Sequence, residues 1–234
     1  PNIVARRPAP LQVSYIGYPG TMASPYIDYI VADRCVLPEN ISAHFSEKVI
    51  WLPDSYQVND RGRKIAEPRP TRAALGLPEN AFVFCSFNNN YKITPEIFDI
   101  WMDILKSVPD AVFWLFTGND TASANLRREA EVRGVDAARL IFAPKIKLED
   151  HLARLSVAEL FLDNLPCNAH TTASDALWAG LPVLTCPGQT FAGRVASSLL
   201  TAIDMPELIV DSLDTYKQTA IDLARDPARL SVLR

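Results

Sequence analysis

The stretch Leu162-Asp163-Asn164-Leu165-Pro166-Cys167-Asn168-Ala169-His170-Thr171-Thr172-Ala173-Ser174-Asp175 contains the pattern that decides the fold, a strand that leads through a polar turn into a helix. The strand is an apolar run at residues 158–162, and the helix is predicted at residues 172–179. N–H groups at a helix start have no partner inside the helix, and with the helix dipole they attract anions. Thr172 and Asp175 also fit a capping box, which would satisfy the helix start from within the chain. Taken alone, the cap is the more ordinary interpretation.

The same strand and helix unit recurs from about residue 82 onward. Short apolar runs predict strands at residues 82–87, 111–116, 140–142, 159–162 and 183–185. Amphipathic runs predict helices at residues 95–107, 121–133, 148–155, 172–179, 190–202 and 214–225. Strands joined by helices of this length form a parallel sheet that is covered on both faces. This half of the chain is therefore predicted to be an α/β, Rossmann-like unit.

The first 65 residues have a different pattern. They contain strand-like runs at residues 12–16, 29–32 and 49–53, and these are too few to complete a domain. The polar, proline-containing stretch at residues 60–70 predicts a linker, and residues 71–76 predict a short helix. We therefore expect one domain to end near residue 65 and a second to occupy residues 66–234.

Composition limits the classes of protein to consider. The chain has 234 residues, of which 48% are hydrophobic and 21% are charged, as in ordinary globular proteins. A net charge of −4 without a basic cluster argues against nucleic-acid binding. No apolar run reaches the roughly 20 residues of a membrane span, and no signal peptide is visible, so we expect no membrane and a cytoplasmic location. Four dispersed cysteines predict free thiols.

Polar residues follow each of the five predicted strands of the second half. In doubly wound sheets ligands bind beyond the carboxyl ends of the strands, where loops and helix starts converge. We therefore expect a binding site at this rim. The five polar loops are Asn88 to Lys92, Thr117 to Asp120, Pro144 to Lys147 (which includes Ile146), the stretch from Asp163 to Asp175 quoted above, and Pro187 to Thr190.

Three side chains in or near these loops are candidates for contacts with an anion or a base. Lys92 could balance a phosphate, or it could be an ordinary surface lysine. His151 could stack on a base, although a solvated histidine at a helix start is the more ordinary interpretation. His170 could donate to a phosphate or cap its turn. The chain has no Asp-x-Asp, which weighs against a diphosphate held through a divalent cation, so no metal is expected.

Other chemistries lack their motifs. No G-x-G-x-x-G follows a strand, and there is no G-x-x-x-x-G-K-[ST], so neither a dinucleotide enzyme nor a P-loop NTPase is supported. A G-x-S-x-G elbow for hydrolysis is also missing from the sequence. No cofactor is therefore expected.

Four segments resemble the catalytic region of protein O-GlcNAc transferases. The resemblance covers nearly the whole chain in order, and H-T-T-x-x-D followed by L-W-A-G is specific. The segments are IGYPGT at 16–21, FNNNYKI at 87–93, CNAHTTASDALWAG at 167–180 and RVASSLL at 194–200.

This resemblance implies an inverting, metal-independent glycosyltransferase that moves GlcNAc from UDP-GlcNAc to Ser or Thr hydroxyls of proteins. It implies a GT-B-type fold with two Rossmann-like domains. Residues 1–65 would be the tail end of the first, acceptor-side domain. Residues 66–234 would be the nucleotide-sugar-binding domain, truncated at its C-terminus.

The resemblance also implies roles for residues at the diphosphate. Lys92 and the helix start at His170, Thr171 and Thr172 would hold the diphosphate and the departing UDP, which is catalysis by preorganised donors. Asp175 would hold ribose hydroxyls.

Further residues would contact the base and the sugar. His151 would stack on uracil, Asn89 would contact UDP, and Ile146 belongs to the same nucleotide-binding set. The family's lysine three residues before the stacking histidine is Leu148 here, with Lys147 beside it, which leaves the base contact open. The sugar side would be formed by Gly17, Tyr18, Pro19 and Cys167.

Two other functions remain open at this point. One is a Spindly-type protein O-fucosyltransferase that uses GDP-fucose, although that branch differs at the H-T-T-x-x-D element and at the tyrosine before the lysine. The other is a non-catalytic module that binds a nucleotide sugar. The family's proposed catalytic histidines and its tetratricopeptide repeats would lie upstream of this sequence, so we expect the 234 residues alone to bind donor without turnover.

Overall fold

The computed structural model describes residues 2–234 and contains two parallel β-sheets. The first sheet has the strand order β1 (Val13–Ser14), β2 (Tyr29–Ala32) and β3 (Lys48–Trp51), with the short helix α1 (Glu39–Ser42) between β2 and β3. The predicted strand at residues 12–16 is too long, because Ile16 adopts φ +62°, which is outside the extended region.

The second sheet is the five-stranded parallel sheet that the sequence predicts. Its strands are β4 (Phe82–Ser86), β5 (Ala111–Phe116), β6 (Leu140–Ala143), β7 (Leu160–Leu162) and β8 (Val183–Leu184). They lie in the order β6-β5-β4-β7-β8. The order of strands reverses between β4 and β7, so the rim above these two strands is the switch point of the sheet.

Helices follow the strands of this sheet on both faces. They are α2 (Pro95–Ser107), α3 (Asp120–Val132), α4 (Leu148–Leu155), α5 (Thr171–Trp178), α6 (Val195–Ala202), α7 (Leu213–Arg225) and α8 (Pro227–Val232). Among residues 2–234 there is no helix with the length and apolar character that a membrane crossing requires.

Strand β4 shows how the sheet is buried on both faces. Phe84 packs in a cluster with α2 and α7, whereas Val83 and Cys85 pack in a second cluster that includes α5. Successive side chains of a strand point to opposite faces, so the alternation places helices on both sides of the sheet. In the first cluster Trp101 lies edge-on to Phe113, with ring centroids 4.6 Å apart.

The predicted helix at residues 190–202 is wrong in its first part. Thr190 caps a single 3₁₀ turn, Phe191–Gly193, and α6 begins only at Val195. A Cβ at Gly193 would lie 2.7 Å from the carbonyl oxygen of Pro166, so close packing against that loop fixes the backbone here. The predicted helix at residues 71–76 is likewise reduced to the 3₁₀ turn Ala73–Leu75.

The first sheet packs against the second unit near α6. Tyr56 lies edge-on to Phe191, and both belong to a cluster that includes residues of β2. Asp33, buried at the end of β2, accepts hydrogen bonds from Ser198 Oγ at 2.7 Å and from the backbone N–H of Tyr56 at 2.7 Å. The domain boundary near residue 65 stays a prediction.

We predict that Trp101→Ala lowers the free energy of unfolding by about 3–5 kcal/mol, because it removes a fully buried indole and leaves a cavity between α2 and β5. Val132→Ala is the matched control, since Val132 is also helical but 75% exposed, and it should change stability by less than about 0.5 kcal/mol. Denaturant unfolding followed by circular dichroism measures both. Equal effects of the two substitutions would contradict this packing.

Candidate functional site

A buried chain of hydrogen bonds lies at the switch point of the second sheet. Ser86 Oγ and Asn88 Nδ2 both donate to Asn164 Oδ1, at 3.0 and 2.5 Å. Thr172 Oγ1 in turn donates to Asn88 Oδ1 at 2.6 Å. The ends of β4 and β7 and the first turn of α5 are therefore held together by side chains.

This chain overturns the capping box predicted for α5. Helix α5 begins at Thr171, so Thr172 lies inside its first turn, where its hydroxyl donates to Asn88, and Asp175 accepts from Arg63 instead of bonding back to the helix start. The residue before the helix, His170, makes no side-chain cap either. Because no side chain caps the start of α5, its first-turn N–H groups remain available to solvent or to an anion. Thr171, the first residue of this turn, is exposed.

The loop between β7 and α5 wraps around a buried carboxyl group. Asp163 Oδ1 accepts from the N–H groups of Asn164 and Ala169, and Oδ2 accepts from Thr185 Oγ1 at 2.7 Å. Burial raises the pKa of Asp163 to about 7. Sequence reasoning did not single out Asp163, although an acidic residue directly after a buried apolar run was a usable signal.

Lys92 lies beside the start of α5. It ends the 3₁₀ turn Asn90–Lys92 and is half-buried, unlike an ordinary surface lysine. Its Nζ donates to the carbonyl oxygen of Asn168 at 2.7 Å, and an ammonium has three donors, so two remain. The turn is anchored by Asn90, whose side chain bonds Phe116 and Gly118 at the end of β5.

His170 is fixed by the loop before α6. Its Nε2 lies 3.1 Å from the carbonyl oxygen of Ala192, and a carbonyl can only accept, so Nε2 carries the proton. Burial lowers the pKa of His170, which keeps the ring neutral at pH 7. Its other nitrogen is then an acceptor, so the predicted donation to a phosphate would require protonation of the ring.

A cleft of about 470 Å³ opens beside Thr172, and most of its surface is apolar. The volume lies within the range of sites for small molecules. The cleft brings together four predicted site residues from three segments of the chain, Asn89, Ile146, His151 and Thr172, of which His151 lies on α4 and Thr172 on α5. It is also lined by Phe87, Phe116, Lys145, Leu148 and Arg154.

His151 is not the solvated histidine that was the more ordinary interpretation. Its ring lies edge-on to Phe87, with centroids 5.1 Å apart, and its Nδ1 accepts from Arg154 Nε at 3.0 Å. Burial, with a smaller contribution from the Arg154 charge, lowers the pKa of His151 to about 4. The ring is therefore neutral at pH 7, with its proton on Nε2.

Arg154 is a residue that sequence reasoning missed. It is almost fully buried, donates to the carbonyl oxygen of Pro144 at 2.8 Å, and lies 4.6 Å from the ring centroid of Phe87. Burial lowers the pKa of Arg154 to about 10, so it remains charged at pH 7. Arg154 follows His151 by three residues on a predicted helix, and this spacing indicates that the two side chains are neighbours.

The four residues predicted on the sugar side are not among those that line the cleft. Cys167 is half-buried in the loop before α5. Tyr18 is 58% exposed, and Gly17 N donates only to the nearby carbonyl of Tyr15. Across residues 2–234, no hydrogen bond links residues 16–20 to the rim of the second sheet. The roles predicted for Gly17, Tyr18, Pro19 and Cys167 stay predictions.

Asp175 is buried on α5, and its Oδ1 accepts from Arg63 Nη1 at 2.5 Å. Arg63 lies in the predicted linker, 112 residues away, and nothing in the local sequence pointed to it. Within the described residues, no group of three or more His, Cys, Asp or Glu side chains is placed to hold a metal ion.

Comparisons with known proteins cover the whole chain. The sequence model of glycosyl transferase family 41 matches residues 1–68 and 64–234. A probable UDP-N-acetylglucosamine–peptide N-acetylglucosaminyltransferase SEC from Arabidopsis thaliana is 40% identical over 99% of this chain and 24% of its own length. A rice protein with the same description, SPINDLY, is 34% identical over 99% of this chain and 25% of its own length. This chain therefore spans about a quarter of the length of these relatives.

One solved structure resembles the chain closely. A mutant of Thermobaculum terrenum O-GlcNAc transferase is 33% identical, with a TM-score of 0.87 over 98% of this chain and 44% of that chain. The likeness confirms the predicted α/β fold of the GT-B type.

We predict that the stabilising effect of His151 disappears on acidification. The folded chain keeps His151 neutral down to about pH 4, whereas the unfolded chain takes up a proton near pH 6.5. The contribution is therefore complete above pH 6.5 and is lost as the pH falls to about 4, by up to about 3 kcal/mol. The measurement is the difference in free energy of unfolding between wild type and His151→Gln across this range. Asp163 is present in both proteins, so its own titration cancels in that difference. A difference that stays constant with pH would rule out a depressed pKa for His151.

Proposed function

The chain belongs to glycosyl transferase family 41, and we propose that it carries the donor site of an inverting, metal-independent protein O-GlcNAc transferase. The donor is UDP-GlcNAc, and GlcNAc moves to Ser or Thr hydroxyls of acceptor proteins. The observation that carries the proposal is that Thr172 belongs both to an apolar cleft and to the uncapped start of α5. A nucleoside diphosphate has the two matching parts, a flat base and an anionic diphosphate.

The diphosphate end is supported by the contacts of α5 and Lys92. Lys92 is bound to the loop that leads into the helix, so its charge and the first-turn N–H groups act on the same region. Both favour negative charge, and charge grows on the departing phosphate oxygen as its bond to the sugar breaks. In this proposal Lys92 is the catalytic residue of the chain and stabilises the UDP that leaves.

The base end is supported by the cleft around His151. The neutral imidazole offers a flat, uncharged ring, and Arg154 fixes its orientation. Asn89 and Ile146 lie at the same opening, where an amide can bond the polar edge of a pyrimidine. Since His151 is neutral at pH 7, the proposed stacking on uracil does not require a charged ring.

The ribose and sugar contacts complete the proposal. Asp175 accepts from ribose hydroxyls, and Cys167, Gly17, Tyr18 and Pro19 contribute to the sugar side. UDP-GlcNAc acts as a substrate, and the reaction uses no cofactor and no metal. Acceptor proteins with Ser or Thr are the other partners, and nucleic acids and membranes are not. The proposed location is the cytoplasm.

We predict that Lys92→Ala weakens UDP binding roughly 10- to 100-fold, because about 1.5–3 kcal/mol of charged hydrogen bonding to the diphosphate is lost. Isothermal titration calorimetry with UDP measures the change. Lys106→Ala is the matched control, since Lys106 pairs with Asp103 on the surface of α2 and should leave the affinity unchanged. If UDP bound equally well to Lys92→Ala, the assignment of Lys92 to the diphosphate would be wrong.

We predict that the product of the complete gene transfers label from UDP-GlcNAc, and not from GDP-fucose, to Ser- and Thr-containing acceptor proteins. Lys92→Ala should lower the rate at least 10-fold, because departure of UDP loses its cation. Scintillation counting of precipitated protein measures both donors. Preferred transfer from GDP-fucose would favour the Spindly-type alternative. Tight UDP binding without any transfer would favour a non-catalytic module.

A further inference from the structure

Residues 57–66, which we call the strap, cross the second unit beside the proposed donor site. Asn59 Oδ1 accepts from Ser174 Oγ at 2.5 Å, and Arg63 bonds the neighbouring residue on α5, Asp175. Further along, the N–H of Ala66 donates to the carbonyl oxygen of Glu149 on α4 at 3.1 Å. The strap therefore contacts both helices that carry proposed nucleotide contacts.

Arg63 is the buried centre of the strap. Its side chain is 10% exposed, and its guanidinium lies 4.8 Å from the ring centroid of Trp178. Nη1 donates to Asp175, Nη2 lies 3.4 Å from Asn59 Oδ1, and Nε has no partner among the described residues. A buried guanidinium is costly to desolvate, so its position depends on the carboxylate that it contacts.

Arg63 also acts on the pKa of Asp175. Burial raises the pKa of Asp175, and the charge of Arg63 opposes that rise. In residues 2–234, Arg63 is the single hydrogen-bond donor to this carboxylate, and it uses Oδ1. A carboxylate can accept about four hydrogen bonds, so Oδ2 retains its capacity to accept from a ligand hydroxyl.

We propose that Arg63 is a positioning residue for nucleotide recognition, which fixes the carboxylate of Asp175 so that its second oxygen accepts from a ribose hydroxyl. This rests on the proposed function, in which Asp175 contacts the ribose. The proposal extends the donor site beyond the predicted nucleotide-sugar-binding domain, because Arg63 lies before residue 66. Arg63 itself contacts no reacting atom and acts through Asp175.

Calorimetric titration with UDP, 2′-deoxy-UDP and 3′-deoxy-UDP tests the proposal. Wild type should bind UDP at least about 10-fold more tightly than one of the deoxy analogues, as expected for a hydrogen bond to a charged group. Arg63→Gln should reduce that ratio to within about twofold, because Asp175 is no longer held in place. Asp175→Asn should do the same, and Arg63→Lys should restore part of the ratio. General loss of structure would weaken all three ligands alike and leave the ratio unchanged.

Arg61→Gln is the matched control, since Arg61 is an exposed arginine of the same strap and should preserve both affinity and ratio. If Arg63→Gln does not fold, Arg63→Lys and Asp175→Asn still decide the question, because an unchanged ratio in Asp175→Asn overturns the proposal. Equal binding of all three nucleotides by wild type overturns it too, while UDP binding that depends on Lys92 leaves the proposed function standing. No binding of UDP at all refutes the proposed function as well.

Discussion

The hydrogen-bond chain from Ser86 through Asn164 and Asn88 to Thr172 is the constraint on which the proposed site depends. Buried polar groups are costly to desolvate unless they are bonded, and Asn164 Oδ1 and both polar atoms of Asn88 find partners only in this arrangement of three elements, although Asn164 Nδ2 has no partner among residues 2–234. This hydrogen-bond chain joins the carboxyl ends of β4 and β7, the two strands between which the sheet order reverses, to the first turn of α5. It adds to the apolar packing of β4, β7 and α5 a set of directional contacts between the cleft and the helix start.

Burial determines which side chains around this hydrogen-bond network carry charge. His151 and His170 are both neutral at pH 7, because burial lowers their pKa values. Arg154 stays charged but is turned toward the Pro144 carbonyl and the His151 ring. Lys92 keeps donors free beside the start of α5, so positive charge is concentrated where a diphosphate would lie, while the cleft stays apolar enough for a base.

The sequence was sufficient for features that arise from local periodicity. Alternating apolar runs predicted the five parallel strands, and the rim argument drew attention to Asn89, Ile146 and Thr172, which the structure gathers with His151 into one cleft. It failed where a distant partner competes with a local one. Thr172 fits a capping motif, yet α5 begins one residue earlier, and the Thr172 hydroxyl donates to Asn88, which is 84 residues away in the chain. No local pattern encodes that choice.

The strap is a second place where a distant contact escapes a local sequence pattern. A polar stretch with prolines predicts a linker, and a linker is expected to connect domains without contributing to a site. Here Arg63 is buried against α5, while Asp33 and Ser198 join the first sheet to α6 through a second buried contact. Both contacts place groups from before residue 66 on the helices that follow the donor rim. The strap is therefore tied to α5, the helix that carries Thr172 and Asp175, and the first sheet is tied to the neighbouring α6, so the linker interpretation misses two buried contacts with the second unit.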